Sequence, residues 1–105
     1  MEINIANNIK TVELLKVELL QKVTDFYGDI SAEPDSETLS RLTDDVAALI
    51  NVAYVLAARL GIDYDSICDA MRRKLKDEID NNHLIERRYG DLSRLYRSVQ
   101  SGGLA

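Results

Sequence analysis

The chain has one proline, one cysteine and one histidine among 105 residues, and only five glycines. So few breaking residues exclude a pattern of many short strands joined by turns and favour long helices. Cys68, standing alone, cannot build an intrachain disulfide framework or a cysteine metal site, and it reads as small core filling in a reduced setting. His83 has no second histidine or cysteine at ligand spacing, so zinc is not expected, and no Ser/His/Asp constellation assembles around it. No apolar run approaches the roughly 18 residues of a membrane span, and MEINIANNIK lacks the basic start and apolar middle of a signal peptide. A cytoplasmic, soluble protein is expected. No basic stripe with interleaved aromatics is present, and the acidic balance argues against a nucleic-acid duplex as partner. No glycine-rich phosphate loop follows a strand.

What the sequence does contain is a length suited to one domain, 46% hydrophobic residues and 30% charged ones. The expectation is a single helical domain over residues 1–100 and a flexible tail over 101–105. The formal charge of −5 is uneven: residues 1–65 carry five Lys/Arg against twelve Asp/Glu, whereas residues 66–105 carry eight against six. An acidic part facing a basic part could hold a divalent cation beside a phosphate, although solvated helix faces have the same signature.

From Asn8 to Ile30, apolar residues Ile9, Val12, Leu15, Leu19, Val23, Phe26 and Ile30 recur at helical spacing and predict a first helix ending between Gly28 and Ser31. The segment SAEPDSE holds the proline, and Asp35 or Ser36 is the expected N-cap of a second helix running to Leu60 and stopping at Gly61. The short connection makes the two an antiparallel hairpin. Leu42, Val46, Leu49, Ala53, Leu56 and Leu60 form the expected core face of the second helix, but Val52 and Val55 point elsewhere. That surplus apolar surface predicts homodimerisation through this helix. Asp63 or Asp65 caps a third helix through Ile67, Met71, Leu75 and Ile79, whose pattern slips at Asp80-Asn81-Asn82-His83 and predicts a break. Apolar spacing resumes at Leu84, Ile85 and Tyr89; Gly90-Asp91 reads as stop and start before a last helix. The expected class is all-α, an antiparallel bundle of four to five helices completed by a second copy.

At about 100° per residue, Glu18, Lys22, Asp25 and Asp29 fall on one flank of the first helix, and Asp45 stands about 80° from the core direction of the second. Asp44 points away from the core, and Asn51 lies on the outer side, where it could fix register between protomers. If the hairpin turns near Glu33, Glu18 and Asp45 differ in height by roughly 4.5 Å and share a flank, a spacing that a hydrated Mg²⁺ could bridge. Glu18 and Lys22 also form a favourable i,i+4 pair, worth about 0.3–0.5 kcal/mol as helix support alone. Asp45, at mid-helix beside leucine and valine, costs stability unless a cation or donor satisfies it. Arg72, Arg73, Lys74 and Lys76 could meet phosphates, though such a run is commonly a solvated face.

DDVAALINVAYVLAARLGID resembles the segment before the Leu-Gly-Ile turn of MazG-type all-α nucleoside triphosphate pyrophosphohydrolases, and HLIERRYGDLSRL resembles the small bacterial MazG-like family. The likeness spans residues from about 9 to 100. It implies an all-α homodimer whose active members convert a nucleoside triphosphate to monophosphate and pyrophosphate. Acids of a Glu-Glu-x-x-Glu motif and a Glu-x-x-Asp motif hold Mg²⁺ in such enzymes. Here the motifs correspond to Val17-Glu18-Leu19-Leu20-Gln21 and Asp45-Val46-Ala47-Ala48. The resemblance thus implies Glu18 and Asp45 as residual metal ligands, with Arg73, Lys74 and Lys76 near the phosphates. Acids are missing at Val17, Gln21 and Ala48, which leaves two expectations open: a pyrophosphohydrolase with a partly degenerate site, or an inactive dimeric interaction module that keeps the fold.

Overall fold

The computed structural model describes residues 5–81 and 83–100, with the side chains of residues 5–7 outside the description. Five helices follow one another: α1 (Ile5–Ser31), α2 (Thr38–Arg59), α3 (Tyr64–Asp80), α4 (Leu84–Tyr89) and α5 (Asp91–Gln100). No strand occurs among the described residues, so the all-α expectation holds. No single described helix is long and apolar enough to cross a membrane. The expected tail, 101–105, lies outside the described residues.

α1 continues through Gly28 to Ser31. A mid-helix glycine costs only about 0.5–1 kcal/mol, too little to end a helix that packs along its length. The turn to α2 is organised by Asp35, whose carboxylate accepts the Glu37 N–H at 2.8 Å while its own N–H donates to Thr38 Oγ1 at 2.7 Å. The N-cap position is therefore Glu37, which makes no side-chain cap, and Asp35 supports the helix start from outside it. The Glu37 N–H holds the Asp35 carboxyl below its usual range, burial opposes this, and Arg41 and Thr38 add to the lowering.

α2 ends ahead of Gly61, whose φ of +86° is accessible to glycine at little cost. Asp63 caps α3, accepting the Ser66 N–H at 2.7 Å. The expected break at Asp80–His83 is present: α3 stops at Asp80, and His83 Nδ1 accepts the Ile85 N–H at 3.1 Å to start α4. Gly90, with φ +68°, closes α4 and hands over directly to α5.

The chain packs as two compact units divided after Gly61. In the N-terminal unit α1 and α2 run antiparallel, as their opposite ends show. Asn8 Nδ2 donates to the Arg59 carbonyl at 3.4 Å, and Arg41 Nε lies 3.7 Å from Asp29 Oδ1. Leu15, Val52 and Leu56 are buried in this seam. In the C-terminal unit Cys68, Leu75 and Val99 form the core, with Met71, Leu92 and Tyr96 packed against it. Cys68 is core filling, as its isolation suggested. Arg72 donates to the Val99 carbonyl at 3.3 Å and pairs with Asp69, tying α3 to the end of α5.

The core face of α2 differs from the expected one. Val52 is buried, while Val46, Ala53 and Leu60 face outward, and the inner row is Leu42, Asp45, Leu49, Val52 and Leu56. The helix is rotated by about 40° relative to the sequence reading. Because the second half of α2 is apolar nearly all round, periodicity alone does not fix which side turns inward. The rotation brings Asp45 from the flank into the seam. Apolar surface stays uncovered on both helices: Leu20 and Tyr27 of α1 and Leu39 of α2 are 68%, 75% and 78% exposed.

Leu75 is 7% exposed at the centre of the C-terminal core. Leu75→Ala should lower unfolding stability by about 2–5 kcal/mol in urea titration; a loss below about 1 kcal/mol would show that this core is not packed as described.

Candidate functional site

The inner row of α1 carries Asn8, Val12, Leu15, Leu19, Lys22, Phe26 and Asp29, all buried or half-buried. Its periodicity is interrupted by polar groups toward the turn, and α2 answers with Arg41 and Asp45. The seam is thus apolar where Leu15 meets Val52 and Leu56, and charged near the turn.

Asp45 is the focus of the charged part. Its side chain is half-buried, and Oδ2 is buried without a hydrogen-bond partner. The Asp29 carboxyl shares a hydrogen bond with Asp45, and this contact is the main reason that the Asp45 pKa is raised. Burial adds to the shift, as do the charges of Asp29 and Asp25, while Arg41 opposes it. Two carboxyls can share a hydrogen bond only when one carries a proton; as a pair of anions they repel. Arg41 relieves the pair only in part, since its Nη2 also lies 3.5 Å from Asp35 Oδ1. The arrangement is satisfied by a shared proton or by a bound cation.

Glu18 is not among the groups that act on Asp45. With α1 ending at Ser31 and α2 starting at Thr38, the hairpin centres one to two residues later than Glu33. Glu18 and Asp45 are consequently about six residues apart in height, roughly 9 Å. Sequence reasoning missed the partnership of Asp29 with Asp45. The signal was available, because Asp29 lies on the same predicted flank as Glu18, but choosing between them required the hairpin register.

Arg73 and Lys74 are exposed on α3, and Lys76 lines a cleft between α3 and α5 in the C-terminal unit. Asn51 and Asp44 are exposed. The ERRYGDLS stretch has a structural role. Glu86 accepts the Ser93 N–H at 3.2 Å and the Ser93 hydroxyl at 2.6 Å, so it caps α5 across the left-handed turn at Gly90. Among the described residues, no three His, Cys, Asp or Glu side chains converge in a way that could hold a metal ion.

The family model for the MazG-like family matches residues 5–92, most of the chain and part of each compact unit. The chain therefore belongs to the MazG-like family, and with that membership comes a nucleoside triphosphate pyrophosphohydrolase-like fold. Searches of the curated proteins and of the solved structures gave no match.

Because its pKa in the folded state is raised above 3.8, Asp45 binds its proton more tightly in the folded than in the unfolded chain. Stability is then lost as pH rises from 3.8 through the folded value, and the loss persists at neutral pH. In chelator, Asp45→Asn should melt several degrees above wild type at neutral pH and level with it at acid pH where both carboxyls are protonated. A lower melting temperature for the variant at neutral pH would contradict this reading.

Proposed function

We propose that the acidic seam is a reduced pyrophosphohydrolase site that holds one divalent cation and a nucleoside triphosphate and releases monophosphate and pyrophosphate. The observation carrying this reading is the buried, unpartnered Asp45 Oδ2 beside Asp29 in a chain of the MazG-like family. Mg²⁺ keeps several waters and commonly takes one or two carboxylates plus substrate phosphates, so two aspartates suit a single ion. Asp45 and Asp29 are the donors assigned to it, with Asp25 contributing negative field. Glu18, roughly 9 Å away in height, would meet the ion only through its water shell. The ion, when bound, supplies charge stabilisation at phosphate oxygens. The chain's part is to hold it: Arg41 orients Asp29, and the apolar seam around Leu42 and Leu49 keeps bulk water from the buried oxygen.

A second reading is favoured by the missing third acid. Ala48 stands where the family motif has its second carboxylate on this helix, and no three-acid group occurs among the described residues. On this reading the chain is an interaction module that keeps the fold without turnover.

Both readings take a second copy of the chain as partner, seated against α2. Exposed Ile30, Val46 and Ile50 line an open groove of about 560 Å³ together with half-buried Phe26 and Leu42. That groove lies on the flank of the hairpin opposite Glu18 and Asp25, so an apolar contact there leaves the acids open.

Pyrophosphate release should be measured over canonical and modified nucleoside triphosphates with Mg²⁺ or Mn²⁺. The first reading expects release that falls roughly 10–100-fold in Asp45→Asn and Asp29→Asn, and less in Glu18→Gln. No release from any substrate selects the interaction module. Light scattering at micromolar concentration should give twice the chain mass for wild type and the single mass for Ile50→Glu. A monomeric wild type would remove the dimer from both readings.

A further inference from the structure

The C-terminal unit contains a second polar concavity that the acidic seam does not use. It is a cleft of about 220 Å³ lined by Lys76, Ile79 and Asp80 of α3 and by Ser93, Tyr96 and Arg97 of α5. We propose that this cleft binds the phosphate group of a small hydroxylated phosphomonoester, with Lys76 and Arg97 as the charged contacts.

The first support is charge that the unit leaves uncompensated. Arg72 is committed to Asp69, and Arg94 to Asp91. None of the ion pairs among the described residues engages Lys76 or Arg97. Lys76 and Asp80 stand four apart on one helix, a spacing that allows pairing, yet they do not pair. An anion entering the cleft would find a cation on each of its two helices, each able to donate a charge-assisted hydrogen bond. Arginine offers a planar fork matched to phosphate oxygens, and lysine a mobile point charge.

The remaining lining narrows the ligand. Tyr96 accepts a hydrogen bond from Gln100 Nε2 at 3.1 Å, which leaves the phenol proton for an acceptor in the cleft. Ser93 is held by Glu86 through both its N–H and its hydroxyl, so it forms a fixed wall rather than a donor. Asp80 repels a bare anion but accepts a hydrogen bond from a hydroxyl. Ile79 offers apolar contact to a short carbon chain. The volume is below the roughly 300–1,000 Å³ of drug-sized pockets, which suits one phosphate carrying a few carbons. The proposal does not rest on turnover at the acidic seam, and its test contains no hydrolysis step.

The experiment is a titration of ¹⁵N-labelled full-length protein with inorganic phosphate, glycerol 3-phosphate and glycerol, at constant ionic strength so that screening does not change. Expected are amide shifts clustered on residues 76–80 and 93–97 with both phosphates, tighter binding of glycerol 3-phosphate, and no shifts with glycerol. Lys76→Gln and Arg97→Gln should each weaken binding roughly tenfold, and Asp80→Asn should remove the preference for glycerol 3-phosphate. Melting curves of the three surface variants show whether they are folded, and Lys74→Gln, on an exposed neighbour, should bind as wild type does. Absence of saturable shifts overturns the proposal, as does binding weakened equally by Lys74→Gln. Equal affinity for the two phosphates overturns the assignment of Asp80.

Discussion

Two carboxyls meeting inside a helical seam set the terms for the rest of the N-terminal unit. Asp29 and Asp45 approach closely enough to share a hydrogen bond, and one Asp45 oxygen is buried without a partner. Like charges at such a site are stable only when a proton or a cation lies between them. Arg41 supplies part of that charge, but it is divided between Asp29 and Asp35. A buried unsatisfied carboxylate opposes folding, so the apolar contacts of Leu15 with Val52 and Leu56 must hold the hairpin closed around it. The same feature that weakens the unit is the one to which the proposed function assigns the cation.

The hairpin is two-sided. One flank carries Glu18, Asp25 and Asp29; the other exposes Ile30, Val46 and Ile50. A unit of two helices has no third element to cover its apolar flank, and exposed patches of this kind mark interaction surfaces. The C-terminal unit solves its burial differently. Cys68, Leu75 and Val99 close a small core between α3 and α5, and Glu86 fixes the angle of α5 by capping it from α4.

Much of this was legible in the sequence. The helix pattern, the break before His83, the stops at Gly61 and Gly90 and the cap at Asp63 follow from local spacing and turn chemistry, and the family was legible from the resemblance of the segments around Leu60-Gly61 and Gly90-Asp91. Asp45 stood out because an acid among leucine and valine asks for a partner. Two things were not legible. The side of α2 that faces α1 was ambiguous because Val46, Leu49, Val52, Val55 and Leu56 surround the helix axis. The register was displaced because α1 runs the full way to Ser31 and α2 starts only at Thr38, and a shift of about three residues in matched height exchanges Asp29 for Glu18 as the acid opposite Asp45. Both depend on how two helices dock, which one helix's periodicity does not contain.

The most direct test of the account is the carboxyl ¹³C titration of Asp45, followed by NMR with and without Mg²⁺. The account predicts a titration above 3.8 in chelator and a shift to lower pH when Mg²⁺ is added. A titration at or below 3.8 that Mg²⁺ leaves unchanged would contradict it.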